Sequence, residues 1–226
     1  MRASDRAYAA LRDDIIDWRL RPGAVLAEVE QSARLGVSRT PLREALSRLT
    51  ADGLVTPQAG RGVVVTDISL DEVASLFEVR IPLDCAAAAL AAAQPNRRAF
   101  ADLALRFEDA PSLISGRGSG AGRQDYYRLA AELDTAIDTA VGNPYLLQAQ
   151  RPLRTHLARV RRLAHDDAAR LLASASEHAQ IARSIAAGNS DLAAASTKVH
   201  LHNSLSYLLA LRANTEAPTR KEAAHG

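Results

Sequence analysis

Four side chains in the stretch GVSRTPLREALSRL, residues 36–49, are of the types that grip a nucleic acid: Arg39, Thr40, Arg43 and Ser47. A guanidinium presents donors that suit phosphate oxygens and base edges, and a hydroxyl bonds phosphate, so the chemistry on offer is DNA reading. At helical spacing these residues fall on one side and toward the N-terminus of the stretch, while Leu42, Ala45, Leu46 and Leu49 form an apolar face that must be buried.

Positioning such a surface takes several elements. Ser38 is placed to cap the helix, and Pro41 falls in the first turn, where its missing N–H is not needed. Residues 27–35 have the length of a short preceding helix, ended by Gly36, which accepts the left-handed conformation of a tight turn. After Gly53, residues 54–66 predict two short strands around a tip formed by Gly60, Arg61 and Gly62. This is a helix-turn-helix followed by a wing with an arginine at its end.

Bulk charge does not make the DNA argument. The 226 residues carry a net charge of only +2, and the ten arginines and eight acids of the first 66 residues leave the same +2, so local placement must supply the electrostatics. The single cysteine, Cys85, excludes an intramolecular disulfide. No apolar run suits a signal peptide or a membrane span, which predicts a cytoplasmic protein with no membrane partner.

The pattern changes near residues 66–69, and the remainder predicts only helices. The expected organisation is a winged helix-turn-helix over 1–67, a helical domain over 68–213 and a flexible tail over 214–226; the fold class is mainly α, with the C-terminal helices forming an all-α antiparallel bundle. Ser69 and Glu72 read as a capping box ahead of Leu70, Val73, Leu76 and Phe77. Pro82 predicts a kink or break near Arg80 or Ile81. Helices are expected over 97–108, 124–141, 144–165, 167–172, 176–187 and 191–212, and a flexible loop over 115–123 that lacks a phosphate-loop lysine.

The N-terminal region resembles the DNA-binding domain of the GntR family of bacterial transcription regulators. The likeness rests on RLRPG at 19–23, VSRTPLREAL at 37–46, DGLV at 52–55 and RGVVV at 61–65. It implies that Arg39 and Arg43 contact double-stranded operator DNA with support from Thr40 and Gly60, and Arg61 stands at the wing tip. Some members add an arginine in the preceding helix, where this chain has Val29 between Glu28 and Glu30.

FEVR at 77–80, LDTAIDTAVGNPYL at 133–146 and SEHAQIARSIAAGNSDLAAASTKVH at 176–200 are similar to the FCD domain of the FadR-like branch. That domain commonly holds a divalent metal through one aspartate and three histidines. His178 and His200 match two of these positions; the other two fall, without a gap, on Ala130 and Asp134. The implied set is Asp134, His178 and His200, suited to Zn, Ni, Mn or Fe(II). His178, in the first turn of a helix beginning at residue 176, would be kept neutral by the helix dipole. His202 would point away from His200. Arg80 is placed to grip an effector carboxylate, or to pair with a nearby acid.

The resemblance implies a homodimeric, effector-responsive transcription regulator, most often a repressor, and not an enzyme. Two other readings compete: a regulator with a vestigial, metal-free sensor, and a metal-dependent enzyme. The second would need a general base beside the metal, and the chain contains no HExxH.

Overall fold

A computed structural model of the chain describes residues 1–58, 62–67, 70–116, 119–163 and 167–222, with side chains described except at 70, 71, 113, 115, 116, 119–121, 161–163 and 212–222. These residues form two compact units.

The first unit comprises Met1–Ser69 together with Arg154–Leu163. It contains α1 (Ala3–Ile16), β1 (Val25–Leu26), α2 (Glu28–Leu35), α3 (Arg39–Ala51), β2 (Val55–Gln58) and β3 (Gly62–Val65). Leu11 and Ile15 of α1, Leu42 and Leu49 of α3, Leu26 and Leu54 are fully buried together, so the apolar face of α3 lies where its periodicity puts it. Gly36 ends α2 at φ 62°, as the tight turn requires.

The wing is a three-stranded antiparallel sheet in the order β1-β3-β2, with Val25 opposite Val64 and Val55 opposite Val65. The sequence predicts two strands; β1 has only two residues, too few for alternation to show. At Gly62 the backbone of β3 passes close to Leu26 of β1. The φ of Gly62 is +88°, and a Cβ there would lie 2.6 Å from the Leu26 carbonyl oxygen.

The second unit comprises Leu70–Leu153 and Ala164–Gly226. It holds α4 (Leu70–Ala92), α5 (Arg98–Glu108), α6 (Ala110–Gly116), α7 (Ser119–Val141), the first part of α8 (Pro144–Leu163), α9 (Ala168–Ala186) and α10 (Ser190–Glu222). Phe100, Leu103 and Phe107 of α5, Tyr126, Leu129 and Leu133 of α7, and Ile181 and Ile185 of α9 fill its core. The alanines Ala88, Ala91 and Ala92 let α4 pack closely against them. No strand occurs after β3 among the described residues.

Several expected boundaries shift. α4 continues through Pro82 without a break; Pro82 is exposed, so the Glu78 carbonyl it leaves unbonded can turn to water. Most of the loop expected over 115–123 is helix, since burial of Tyr126, Leu129 and Leu133 sets the register of α7 and outweighs glycine's poor propensity. The two helices expected at 167–172 and 176–187 are one, joined through the fully buried Ala175. α10 runs to Glu222, through most of the tail expected over 214–226, with Pro218 inside it. Ser69, half of the expected capping box, lies outside the described residues. Among the described residues no helix is long and apolar enough to cross a membrane.

Candidate nucleic-acid interface and sensor cluster

With Leu42, Ala45, Leu46 and Leu49 turned inward, Arg39, Thr40, Arg43 and Ser47 stand exposed on the outer face of α3. Ser38 occupies the N-cap position in extended conformation, but its side chain makes no capping hydrogen bond. The first backbone N–H groups of α3 are thus not capped from Ser38, at the end of the helix that carries Arg39 and Thr40.

The two arginines differ in their surroundings. Arg43 donates from Nε to both carboxylate oxygens of Glu28, at 3.0 and 2.9 Å, which ties it to α2. Val29, which follows Glu28 in α2, is 65% exposed. Arg48 instead braces α3 against α1, donating to Asp5 at 2.9 Å and lying 4.0 Å over the ring of Tyr8. That hydrogen bond holds the Asp5 carboxyl below its usual range. Tyr8 in turn donates to Asp52 at 2.5 Å. Behind the surface, Arg19 of the RLRPG motif and Arg34 of α2 both donate to Asp14; burial works to raise this carboxyl, and the two guanidiniums pull it down. Gly60 and Arg61 lie outside the described residues.

The second unit brings His178 and His200 together, with ring centroids 4.4 Å apart. His178 Nδ1 shares a hydrogen bond of 3.0 Å with the Tyr126 hydroxyl, and its ring lies 5.1 Å from Phe107. His178 is in the middle of α9, which starts at Ala168, so the helix-dipole expectation does not apply and its aromatic neighbours define its setting. His200 is buried and donates from Nδ1 to Glu177 at 2.7 Å. Burial pushes its pKa below the ordinary value, leaving a neutral ring with Nε2 as an acceptor.

Glu177 is the member of this cluster that the sequence motifs leave out. It accepts two hydrogen bonds from Arg170, at 2.9 and 2.8 Å, one from Asn203 at 2.8 Å and the one from His200. Burial works to raise its carboxyl, but these donors outweigh it and hold the pKa at about 2. Arg170 also reaches Ser204 at 3.0 Å. A signal for Glu177 is present as the EH pair at 177–178, since a carboxylate close to histidines often orients an imidazole.

The expected set is Asp134, His178 and His200. Asp134 is half-buried on α7, and among the described residues no three His, Cys, Asp or Glu side chains are grouped to hold a metal ion. The carboxylate that does meet the histidines, Glu177, is already committed to four hydrogen bonds. Arg80 is buried, stacks 5.3 Å over Phe77 and donates to Asp84 at 2.9 Å, the internal pair that its position allowed. Asp84 also accepts from Gln150 at 2.8 Å. His202 is exposed, away from the cluster.

Comparison with known proteins gives a consistent picture. The family described as "Bacterial regulatory proteins, gntR family" matches residues 3–65, and the FCD domain matches residues 75–203. The Nta operon transcriptional regulator of Aminobacter aminovorans is 32% identical over 50% of this chain and 56% of its own length. The HTH-type transcriptional repressor RspR of Escherichia coli is 38% identical over 39% of each chain. The matches thus span about half or less of these relatives' lengths. In fold, the chain is similar to E. coli McbR/YncC, with TM-score 0.75 and 17% identity over 92% of this chain and 98% of that one. A GntR regulator of Rhodococcus sp. RHA1 gives TM-score 0.70 and 24% identity over 92% and 97%. The two relatives are named as transcriptional regulators. An exposed arginine face on the second helix of a winged helix-turn-helix, followed in the chain by a helical region that the FCD domain matches, settles the assignment: the chain belongs to the GntR family of bacterial regulatory proteins and carries an FCD domain.

Proposed function

We propose that this chain is a cytoplasmic, homodimeric repressor that reads a palindromic operator and responds to a small metabolite. The observation that carries the reading is α3 itself, with one face buried to the last leucine and Arg39, Thr40 and Arg43 exposed on the other. Such a helix fits the major groove, with Arg39 and Arg43 on guanine edges or phosphates, Thr40 on phosphate, and Gly60 and Arg61 at the wing. Two copies would meet half-sites about one helical turn apart. The test is selection of duplexes from a random library by the purified protein. A recovered inverted repeat supports the reading; recovery of no common sequence contradicts it.

The effector site is the cluster around His178 and His200, with Arg80 as the cation for a carboxylate. The donor set favours a sensor without a resident metal, because the carboxylate that meets the two histidines, Glu177, is committed to Arg170, Asn203 and His200. Chelator-treated protein titrated with Zn(II) is expected to show no stoichiometric uptake. One equivalent bound, and lost in His178→Ala plus His200→Ala, would restore the metal reading.

A further inference from the structure

His156 and Arg159 lie three residues apart in the part of α8 that belongs to the first unit, and so share one helix face. Both meet the turn that joins α3 to the wing. His156 donates from Nε2 to the Asp52 carbonyl oxygen at 3.0 Å. The next residue, Gly53, has φ +70°, and a Cβ there would come within 3.3 Å of the same imidazole nitrogen. Arg159 is 1% exposed. It donates from Nη1 to the Thr66 hydroxyl at 2.8 Å and from Nη2 to the Thr66 carbonyl oxygen. The Thr66 hydroxyl faces the carbonyls of Gly53 at 2.9 Å and Leu54 at 3.2 Å, and its N–H donates to Leu54 at 3.0 Å. Residues 52–54 at the end of α3, and Thr66 at the base of the wing, are therefore gripped from one helix face.

The energetics of Arg159 are unusual for a structural strut. A buried cation is ordinarily matched by a carboxylate, whereas this one is spent on a hydroxyl and a carbonyl, and its Nε finds no partner among the described residues. Burial lowers its pKa, with Asp67 the charge that opposes. An apolar residue of similar volume would be at least as stable there. What the guanidinium adds is a rigid fork of donors, and hence direction.

We propose that Arg159, with His156, is a positioning residue for DNA binding: it fixes the wing base against the end of α3, so that α3 and the wing engage one half-site together. The inference rests on the regulator reading above. Its test uses the full chain, an operator selected from a random library by the wild-type protein, and a scrambled duplex as the non-specific probe. Arg159→Met is expected to lower operator affinity tenfold or more, with scrambled-duplex affinity unchanged and Tm unchanged or raised; Thr66→Val is expected to lower operator affinity likewise, with a lower Tm because the buried guanidinium stays and loses an acceptor. Thr66→Ser, which keeps the bridging hydroxyl, is expected to restore operator affinity. Unchanged operator affinity in both Arg159→Met and Thr66→Val would overturn the inference. So would parallel losses of Tm and of affinity for both duplexes in Arg159→Met, which would make Arg159 a strut. A wild-type chain that selects no sequence would overturn the regulator reading and this inference with it, while a selected operator bound equally well by the variants would overturn the inference alone.

Discussion

At the scale of single residues, the pairing of Arg43 with Glu28 has a measurable consequence. An exposed ion pair of this kind contributes about 0.2–1 kcal/mol, and the carboxylate must yield or reorient when Arg43 meets DNA. Glu28→Gln is therefore expected to raise affinity for random duplex about two- to fivefold and to steepen its salt dependence by about one unit of slope, as read by fluorescence anisotropy across a salt series. Unaltered binding and slope would mean that the pair does not restrain Arg43. Glu177 gives a second expectation, in pH. Its carboxyl is held at about 2 in the folded chain against about 4.3 when unfolded. Its contribution is complete above the unfolded value and is lost as pH falls through the folded one. The Tm difference between wild type and Glu177→Gln should be largest above pH ~5 and vanish toward pH ~2; a difference independent of pH would contradict the assigned ionisation. Arg39 and Arg43 were legible in the sequence because local spacing puts them on the outer face of one helix. Glu28, Glu177 and Arg159 were not, because their roles come from long side chains meeting across 15, 23 and 93 residues, which periodicity does not encode.

At the scale of elements, the wing depends on the close pass of β3 over β1. Gly62→Ala adds a Cβ 2.6 Å from the Leu26 carbonyl at a positive φ. The variant should lose Tm and operator affinity together, and a variant as stable as wild type would contradict the packing of β1. α4 offers the opposite case. Pro82 is exposed within an unbroken helix, so Pro82→Ala, which restores the hydrogen bond to Glu78, is expected to stabilise the chain by up to about 3 kcal/mol in denaturant unfolding. A loss of stability would show that the proline is required. α2, α3 and the two wing strands could be read from sequence because glycine placement and apolar spacing agree there, although the Ser38 side chain makes no cap. β1 was too short to carry a pattern, and the helices around residues 115–123 and 173–175 form where tertiary burial overrides local preference.

At the scale of the whole molecule, the chain divides into a unit that carries α3 and a unit that carries the histidine cluster, and residues 154–163 of α8 belong to the first despite lying far along the chain. A composition break near residue 67 could not reveal that, since membership in a unit is decided by packing and not by sequence order. The central claim is that α3 reads an operator through Arg39 and Arg43. Its most direct test is operator binding by Arg39→Ala plus Arg43→Ala beside wild type, with circular dichroism and Tm confirming the fold. Each arginine on a guanine edge contributes about 1–3 kcal/mol, so the double variant should lose at least about thirtyfold in operator affinity while keeping its helical content. Equal binding by the folded double variant would contradict the claim.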